Sequence, residues 1–102
     1  MKLLLLLAAF ILPANAAPVV LVVTAAAPDY LQAAGGTLAA MIDRGAEVYV
    51  LRITNDEKDS YNLAPEETAL RMKAESEEAG RLLGVKEVIS LGYRQWELAD
   101  VS

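Results

Sequence analysis

The residues of this sequence that could carry chemistry are mainly carboxylates. The chain contains no cysteine and no histidine. This removes disulfides, thiolate metal ligands and a cysteine nucleophile, and it also removes the commonest metal ligand and the usual general base near neutral pH. Asp29 follows an apolar run in a Pro-Asp turn, and Asp56 and Glu57 follow the next apolar run. Any reaction carried out by this chain therefore depends on acidic side chains.

The charge balance argues against nucleic acid as a partner. Nine Lys and Arg residues against 14 Asp and Glu residues give a net charge of −5, and the basic residues form no cluster. Proteins that bind phosphate backbones normally present a basic patch. The composition, with 55% hydrophobic and 23% charged residues, is that of a globular protein, and 102 residues fit one small domain at most.

The N-terminus has the pattern of a secretory signal peptide. Lys2 precedes an apolar run over residues 3–12, and Pro13 and a small-residue segment follow. The run is about ten residues long, whereas a membrane-spanning helix needs about 20. We therefore expect residues 1–17 to be cleaved near Ala16 or Ala17, and the protein to be exported to a periplasm or the outside without a stable membrane anchor. The alternative, a buried N-terminal strand or helix, is disfavoured by Lys2 and the cleavage pattern.

The rest of the chain alternates between strand and helix patterns. Residues 18–24 form a continuous β-branched and leucine run, which is typical of a strand covered on both faces in a parallel sheet. Gly35-Gly36-Thr37 leads into Leu38, Met41 and Ile42, which share one helical face, and Gly45 is placed as a helix-terminating residue. Residues 46–54 form a second strand pattern, followed by a polar connection.

A second helix and a third strand complete the pattern. Pro65 begins the helix, Gly84 ends it, residues 85–91 are a strand that Gly92 should break, and residues 93–102 are irregular. We expect one narrow buried stripe on this helix, made of Ala69, Met72, Ser76, Ala79 and Leu83. The order predicts an α/β fold, a Rossmann-like three-layer parallel sheet of which this chain forms the N-terminal βαβαβ portion, with right-handed crossovers. If the strand order is 3-2-1, the ligand crevice lies between strand 1 and a fourth strand beyond this chain.

Several motifs occur in an order that resembles the N-terminal part of the PIG-L/LmbE-like zinc-dependent N-deacetylases. The family begins with Ala-His-Pro-Asp-Asp-Glu and then Gly-Ala-Gly-Gly-Thr-Leu, and it later has Leu-Gly-Tyr-Pro-Asp-Gly-Glu-Leu. The matching segments cover essentially all of residues 18–102, and they are Pro28-Asp29, Gly35-Gly36-Thr37-Leu38, Asp43-Arg44-Gly45-Ala46-Glu47-Val48, Thr54-Asn55-Asp56-Glu57, Arg71 with Glu75, Leu82-Leu83-Gly84-Val85 and Leu91-Gly92-Tyr93-Arg94-Gln95-Trp96-Glu97-Leu98.

The resemblance implies hydrolysis of N-acetyl groups on N-acetylglucosamine-type glycoconjugates. In that family a zinc ion is held by two histidines and one aspartate, lowers the pKa of its water to about 7 and polarises the acetyl carbonyl. The first Asp of the signature is the base, the His and the second Asp bind the metal, and the other His comes from a later strand. Zinc is therefore the cofactor that the resemblance implies.

The zinc motif departs from the family pattern in this chain. Aligned without a gap, the His falls on Ala26, the base on Pro28 and the metal-binding Asp on Asp29. With a one-residue deletion, the His falls on Ala27, Asp29 becomes the base and Tyr30 stands at the ligand position. Asp29 is thus the candidate catalytic or metal residue in either alignment. The His is an alanine in both, so we expect an incomplete zinc site.

Two further positions, Arg71 and Trp96, are candidates for binding, and Gln95 is a further departure from the family pattern. Arg71 matches a family position that points to the substrate sugar, and its alternative is a solvent-facing arginine paired with Glu67 or Glu75. Gln95 replaces the Asp of the Tyr-Pro-Asp-Gly segment, and Trp96 replaces its glycine. Trp96 could stack on a sugar or fill the core.

The sequence therefore predicts residues 1–17 as a signal peptide and residues 18–102 as the N-terminal part of an N-deacetylase domain, truncated and inactive as given. The expected partners are an amino-sugar conjugate and the missing C-terminal half of the domain. The alternative is a non-catalytic carbohydrate-binding pseudoenzyme of the same fold. A nucleotide-binding module is disfavoured, because strand 1 is not followed by Gly-x-Gly-x-x-Gly.

Overall fold

The computed structural model describes residues 17–26, 29–60 and 62–100. Residues 1–16 of the predicted signal peptide, and Ala27 and Pro28 of the zinc motif, lie outside the described residues. The elements alternate as predicted: β1 (Val19–Thr24), α1 (Asp29–Asp43), β2 (Glu47–Thr54), α2 (Pro65–Leu83), β3 (Glu87–Tyr93) and a 3₁₀ turn at Leu98–Asp100. The α/β class is confirmed.

The three strands form one parallel sheet in the order β1-β2-β3. The central strand is β2. Val50 of β2 pairs with Val22 of β1 on one side and with Val88 of β3 on the other. Because the strands are parallel and in register, their carboxyl ends lie at one common edge of the sheet.

Both helices pack on the same face of this sheet. Val48 and Val50 are fully buried in a core that also contains Tyr30 and Leu38 of α1, and Leu83 of α2 packs against that core. Two successive right-handed crossovers that advance in the same direction place their helices on one side. As a result, within the described residues β1 is covered on one face only, and Val19, Leu21 and Val23 are exposed on the other. The prediction that β1 is covered on both faces is therefore not met in this part of the protein.

Helix α1 begins earlier than the glycine pair suggested. Its first residue is Asp29, so Gly35 and Gly36 lie inside the helix rather than at its start. A Cβ atom added to either glycine would meet nothing within 4 Å. Tight packing of the helix on the strands therefore does not account for this pair in the described part of the chain.

The glycines at the other boundaries follow the predictions with one exception. Gly84 ends α2 in the left-handed conformation, and its amide donates to the carbonyls of Gly80 and Arg81. Gly92 does not break β3, which continues to Tyr93. It has a φ of +77° and lies where the pairing with β2 shifts register, so it forms a bulge. No helix among the described residues is both long enough and apolar enough to cross a membrane.

Candidate functional site

The candidate site lies at the carboxyl edge of the sheet, where the segments following β1, β2 and β3 meet. Open parallel sheets bind their ligands at this edge. Thr54 at the end of β2 contacts the first segment twice, because its amide and its hydroxyl both donate to the carbonyl of Ala25, at 3.1 and 2.6 Å. The amide of Asn55 donates to the carbonyl of Tyr93 at 2.8 Å. The three segments are thus fixed to one another by hydrogen bonds.

Asp29 lies at this edge as the exposed first residue of α1. Its amide donates to the carbonyl of Ala26 at 3.4 Å, and that carbonyl also accepts the Thr24 hydroxyl at 2.7 Å. An acid at a helix N-terminus is stabilised by the helix dipole. Because Ala27 and Pro28 lie outside the described residues, the two alignments of the zinc motif stay open. The role of Asp29 as base or ligand remains a prediction.

Tyr30 does not share the exposure of Asp29. It is buried in the core, and neither its hydroxyl nor that of Ser76 on α2, also buried, has a hydrogen-bond partner among the described residues. Burial raises the pKa of the Tyr30 hydroxyl, while the neighbouring Ser76 hydroxyl and the positive charge of Arg52 act in the opposite direction. Tyr30 is therefore part of the core and lies away from solvent. The gapped alignment nevertheless puts it at the position of the metal-binding Asp.

The described residues do not fit a zinc ion on their own. Nowhere in ranges 17–26, 29–60 and 62–100 do three His, Cys, Asp or Glu side chains come together as a metal site. Asp56 and Glu57, the acids after β2, are engaged with the protein: Asp56 accepts from Arg52, and Glu57 accepts from Asn55 and Arg94. One carboxylate would leave a zinc ion largely hydrated. The zinc expectation therefore rests on the family.

Beneath the edge lies a buried ion pair that the sequence analysis missed. Arg52 of β2 is 1% exposed and Asp56 is 0% exposed, and 2.7 Å separates the Arg52 Nη2 from the Asp56 Oδ2. Arg52 Nη1 also donates to the Ser90 hydroxyl on β3. The other oxygen of Asp56 lies 3.2 Å from the Thr54 hydroxyl, which shares its one proton between this oxygen and the closer Ala25 carbonyl. In the sequence, Arg52 stands at one of the alternating positions of β2 whose side chains face the helices, and an acid follows it four positions later. This spacing was the signal from which the pair could have been predicted. The pair joins β2, β3 and the turn after β2.

Gln95 connects the turn after β3 to the turn after β2. Its side chain is buried, its Oε1 accepts the amide of Lys58 at 2.6 Å, and its Nε2 donates to Asp59 at 2.9 Å. Arg94 adds an ion pair to Glu57 at 3.3 Å. The glutamine that replaces the family aspartate therefore has a structural role here.

Trp96 projects from this turn into solvent. Its side chain is 84% exposed, so the alternative that it fills the core is wrong. Its φ is +65°, a left-handed conformation that costs a bulky residue about 1–3 kcal/mol. The ammonium of Lys58 lies 4.6 Å from the ring centroid, and Trp96 borders an open cleft of about 770 Å³.

Arg71 is exposed on α2. The alternative ion pairs with Glu67 or Glu75 are not formed in the described chain, where the ion pairs on this helix join Lys73 to Glu77 and Arg81 to Glu78. Arg71 precedes Met72, which lines the cleft beside Trp96. Its contact with a substrate sugar remains a prediction.

These features define an α/β protein with a parallel sheet whose carboxyl edge joins the segments that follow the three strands. Residues 21–102 match the PIG-L family, described as GlcNAc-PI de-N-acetylase. The chain belongs to this family, as the resemblance implied. Comparison with curated proteins found no match.

Solved structures give the same fold. The chain is similar to the N,N'-diacetylchitobiose deacetylase from Pyrococcus horikoshii, with a TM-score of 0.74 and 34% identity over 82% of this chain and 32% of that one. It is also similar to a conserved protein from Thermus thermophilus, with a TM-score of 0.65 and 34% identity over 84% of this chain and 36% of that one. The fold is therefore N-deacetylase-like.

A third similar structure is a 4-carboxy-2-hydroxymuconate hydratase from Pseudomonas putida. Its TM-score is 0.69 at 20% identity, over 78% of this chain and 35% of that one. At this identity the likeness concerns the fold alone, and it indicates that the fold is compatible with more than one reaction. The chain spans about a third of the length of each of these three structures.

Proposed function

We propose that the protein is an N-deacetylase of N-acetylated amino-sugar conjugates, and that the part formed by this chain holds the sugar without completing the metal site. The observation that carries the proposal is the carboxyl edge of the sheet, where Thr54 and Asn55 join the turns after all three strands. The family, and a neighbour that acts as a deacetylase of N,N'-diacetylchitobiose, support the substrate class.

Catalysis by this chain alone is not part of the proposal. A zinc-bound water needs three protein ligands to be held and activated. Here Ala26 or Ala27 stands where the family has a histidine, and Asp29 is the remaining acid of the motif. In this proposal Asp29 supplies one carboxylate, as base or ligand, and Arg71 contacts the sugar. One histidine ligand comes from outside this chain, and the histidine that Ala26 or Ala27 replaces is missing.

The test compares binding with hydrolysis. The full chain is incubated with N,N'-diacetylchitobiose and zinc, sugar binding is measured by calorimetry, and acetate release is measured enzymatically. The expected result is binding without acetate release. Addition of the C-terminal half of a family member to the variant Ala26→His with Ala27→Pro and Pro28→Asp, in which the motif is restored, should produce acetate release that a chelator abolishes. Acetate release by this chain alone would contradict the incomplete site, and absence of any acetamido-sugar binding would contradict the substrate class.

The second candidate is a non-catalytic carbohydrate-binding protein of the same fold. It is favoured by Ala26, whose carbonyl accepts the Thr24 hydroxyl and whose side chain cannot bind a metal. In this case sugar binding is insensitive to chelators, both for this chain and after addition of a family C-terminal half. The variant Ala26→His with Ala27→Pro and Pro28→Asp, completed by such a C-terminal half, should bind zinc more tightly if the ungapped alignment holds. Unchanged zinc affinity would count against that alignment.

We propose that the protein is exported to a periplasm or to the outside of the cell. Its support is the sequence pattern of Lys2, the apolar run of residues 3–12 and the small residues that end at Ala17. Expression in a bacterium with its natural N-terminus should give a periplasmic or external product whose first residue is Ala17 or Pro18. A product that retains Met1 would contradict the proposal.

A further inference from the structure

The cleft beside Trp96 is a site that the zinc motif does not use. We propose that it is a saccharide-binding subsite in which one sugar ring stacks on the Trp96 indole. This inference rests on the proposed function for the class of ligand. The position and the residues of the subsite come from the turns after β2 and β3 and from helix α2.

The backbone at Trp96 is fixed in a conformation that glycine adopts freely and tryptophan does not. The φ of +65° lies in the left-handed region. The turn is held on both sides, because the buried amide of Gln95 bonds to Lys58 and Asp59, and the amide of Glu97 donates to the carbonyl of Arg94 at 3.4 Å. These hydrogen bonds fix the conformation of the turn, so the backbone of Trp96 is held in a strained conformation.

The indole contributes little to the fold. With 84% of its surface exposed, Trp96 buries almost no apolar area. The ammonium of Lys58 lies over the ring, 4.6 Å from the centroid, and such contacts are weak at exposed sites. A residue that is both strained and unburied is characteristic of ligand-binding positions rather than of a folding role.

The cleft has the size and the mixed lining of a small-molecule site. Its volume of about 770 Å³ lies within the usual range for ligand pockets. Its lining includes the apolar residues Leu63 and Met72 and the charged residues Glu57, Lys58 and Asp59. Trp96 adds a flat apolar surface next to these polar groups.

This combination of side chains fits a sugar better than a phosphate ester or a cation. A pyranose ring has an apolar C–H face that can stack on an indole and a rim of hydroxyls that donate to carboxylates such as that of Asp59. The same carboxylates repel nucleotides and other phosphate esters, which would find only the positive charge of Lys58 among the described lining residues. A cationic ligand would be repelled by the Lys58 ammonium, which lies over one face of the ring, whereas an uncharged sugar can stack on the other face.

The experiment uses Trp96 as its own reporter, since it is the only tryptophan in the chain. The full chain is titrated with N,N'-diacetylchitobiose and with cellobiose, which has the same ring faces without acetamido groups. We expect the acetylated disaccharide to change the indole emission. Calorimetry of Trp96→Gly should give binding weaker by at least about tenfold. Thermal stability of this variant should be unchanged or higher, because glycine relieves the strain.

Two control variants distinguish the loss of stacking on the indole from a general loss of sugar binding. Trp96→Phe keeps a smaller ring and should bind with intermediate affinity. Leu82→Ala removes another exposed apolar side chain, near the far end of α2, and should bind as the wild type does.

The outcomes distinguish the subsite from the proposed function. If Trp96→Gly binds the acetylated disaccharide as tightly as the wild type, the subsite is wrong while sugar binding stands. If cellobiose binds as tightly and with the same dependence on Trp96, the subsite stands and the N-acetyl substrate class is wrong. If the wild type binds neither disaccharide, the subsite is overturned as well.

Discussion

Arg52 and Asp56 form a fully buried ion pair at the end of the central strand, with 2.7 Å between Nη2 and Oδ2. The pair lies directly under the turns that form the carboxyl edge. Ser90 and Thr54 supply further hydrogen bonds, so that the pair connects β2 to β3. Burying two charges carries a large desolvation cost, so the importance of such a pair is seen mainly when one partner is lost.

Asp56→Asn should destabilise the chain strongly. Asparagine tolerates the φ of +57° at this position as well as aspartate does, so the change isolates the loss of the negative charge beside Arg52. We expect a loss of about 3 kcal/mol, measured by urea denaturation, because the guanidinium stays buried without its counterion. The control is Glu77→Gln, which breaks the exposed pair with Lys73 and should change the midpoint little. Equal effects of the two changes would contradict the importance of burial.

Two glycine-to-alanine changes in helices should have opposite signs. A Cβ atom at Gly80 of α2 would lie 2.7 Å from Val88 Cγ2, and valine is too rigid to move away easily. Gly80→Ala should therefore destabilise by about 1–3 kcal/mol. Gly36→Ala meets nothing within 4 Å and should stabilise by about 0.5–1 kcal/mol through helix propensity. Thermal denaturation of both variants measures the difference, and a gain in stability for Gly80→Ala would contradict the packing of α2 on β3.

Tyr30 should make stability fall at alkaline pH. Burial raises the pKa of its hydroxyl, so the folded chain holds this proton more tightly than the unfolded chain does. The resulting stability is fully present below the unfolded pKa of about 10 and is lost as pH rises through the folded value. Urea midpoints measured between neutral pH and about pH 11 should fall less for Tyr30→Phe than for the wild type. An equal fall in the two proteins would contradict burial of this hydroxyl as the cause.

Gln95→Glu should loosen the two turns that carry the cleft. The buried amide donates to Asp59 and accepts from the Lys58 amide. A glutamate keeps the acceptor but sets a second carboxylate against Asp59, so we expect a loss of about 1 kcal/mol and a change in Trp96 emission. Adding Asp59→Asn restores a donor and should recover both properties. If Gln95→Glu alone leaves emission and stability unchanged, this contact does not hold the turn.

The sequence predicted the elements and their order, because these depend on local patterns. Gly45 and Gly84 mark helix ends through a backbone conformation that few other residues accept. Gly92 was wrongly predicted to end β3, since a glycine in a strand pattern indicates either a break or a bulge, and only the pairing with β2 distinguishes them. The start of α1 was also missed, because the helix-forming stretch from Asp29 overrides the low propensity of the glycine pair.

The site was predictable only where one residue type carries the chemistry. Asp29 was predicted because an acid that follows a strand is a candidate site residue whatever residues surround it. Its place at the carboxyl edge follows from the parallel arrangement of the strands. Arg52 was missed because an arginine within a strand usually faces solvent, and its burial depends on Asp56 and Ser90 together. The exposure of Trp96 depends on the turn that Gln95 holds, and this is a tertiary contact.

The uncovered face of the sheet affects how this chain behaves in solution. Val23, Leu51 and Ile89 are paired in register across the three strands on the side without helices, and Leu21 and Leu91 extend the exposed apolar surface. A flat apolar surface of this kind favours self-association. Melting temperatures and dissociation constants of the isolated chain will therefore vary with protein concentration, and a dilution series is needed before two variants are compared.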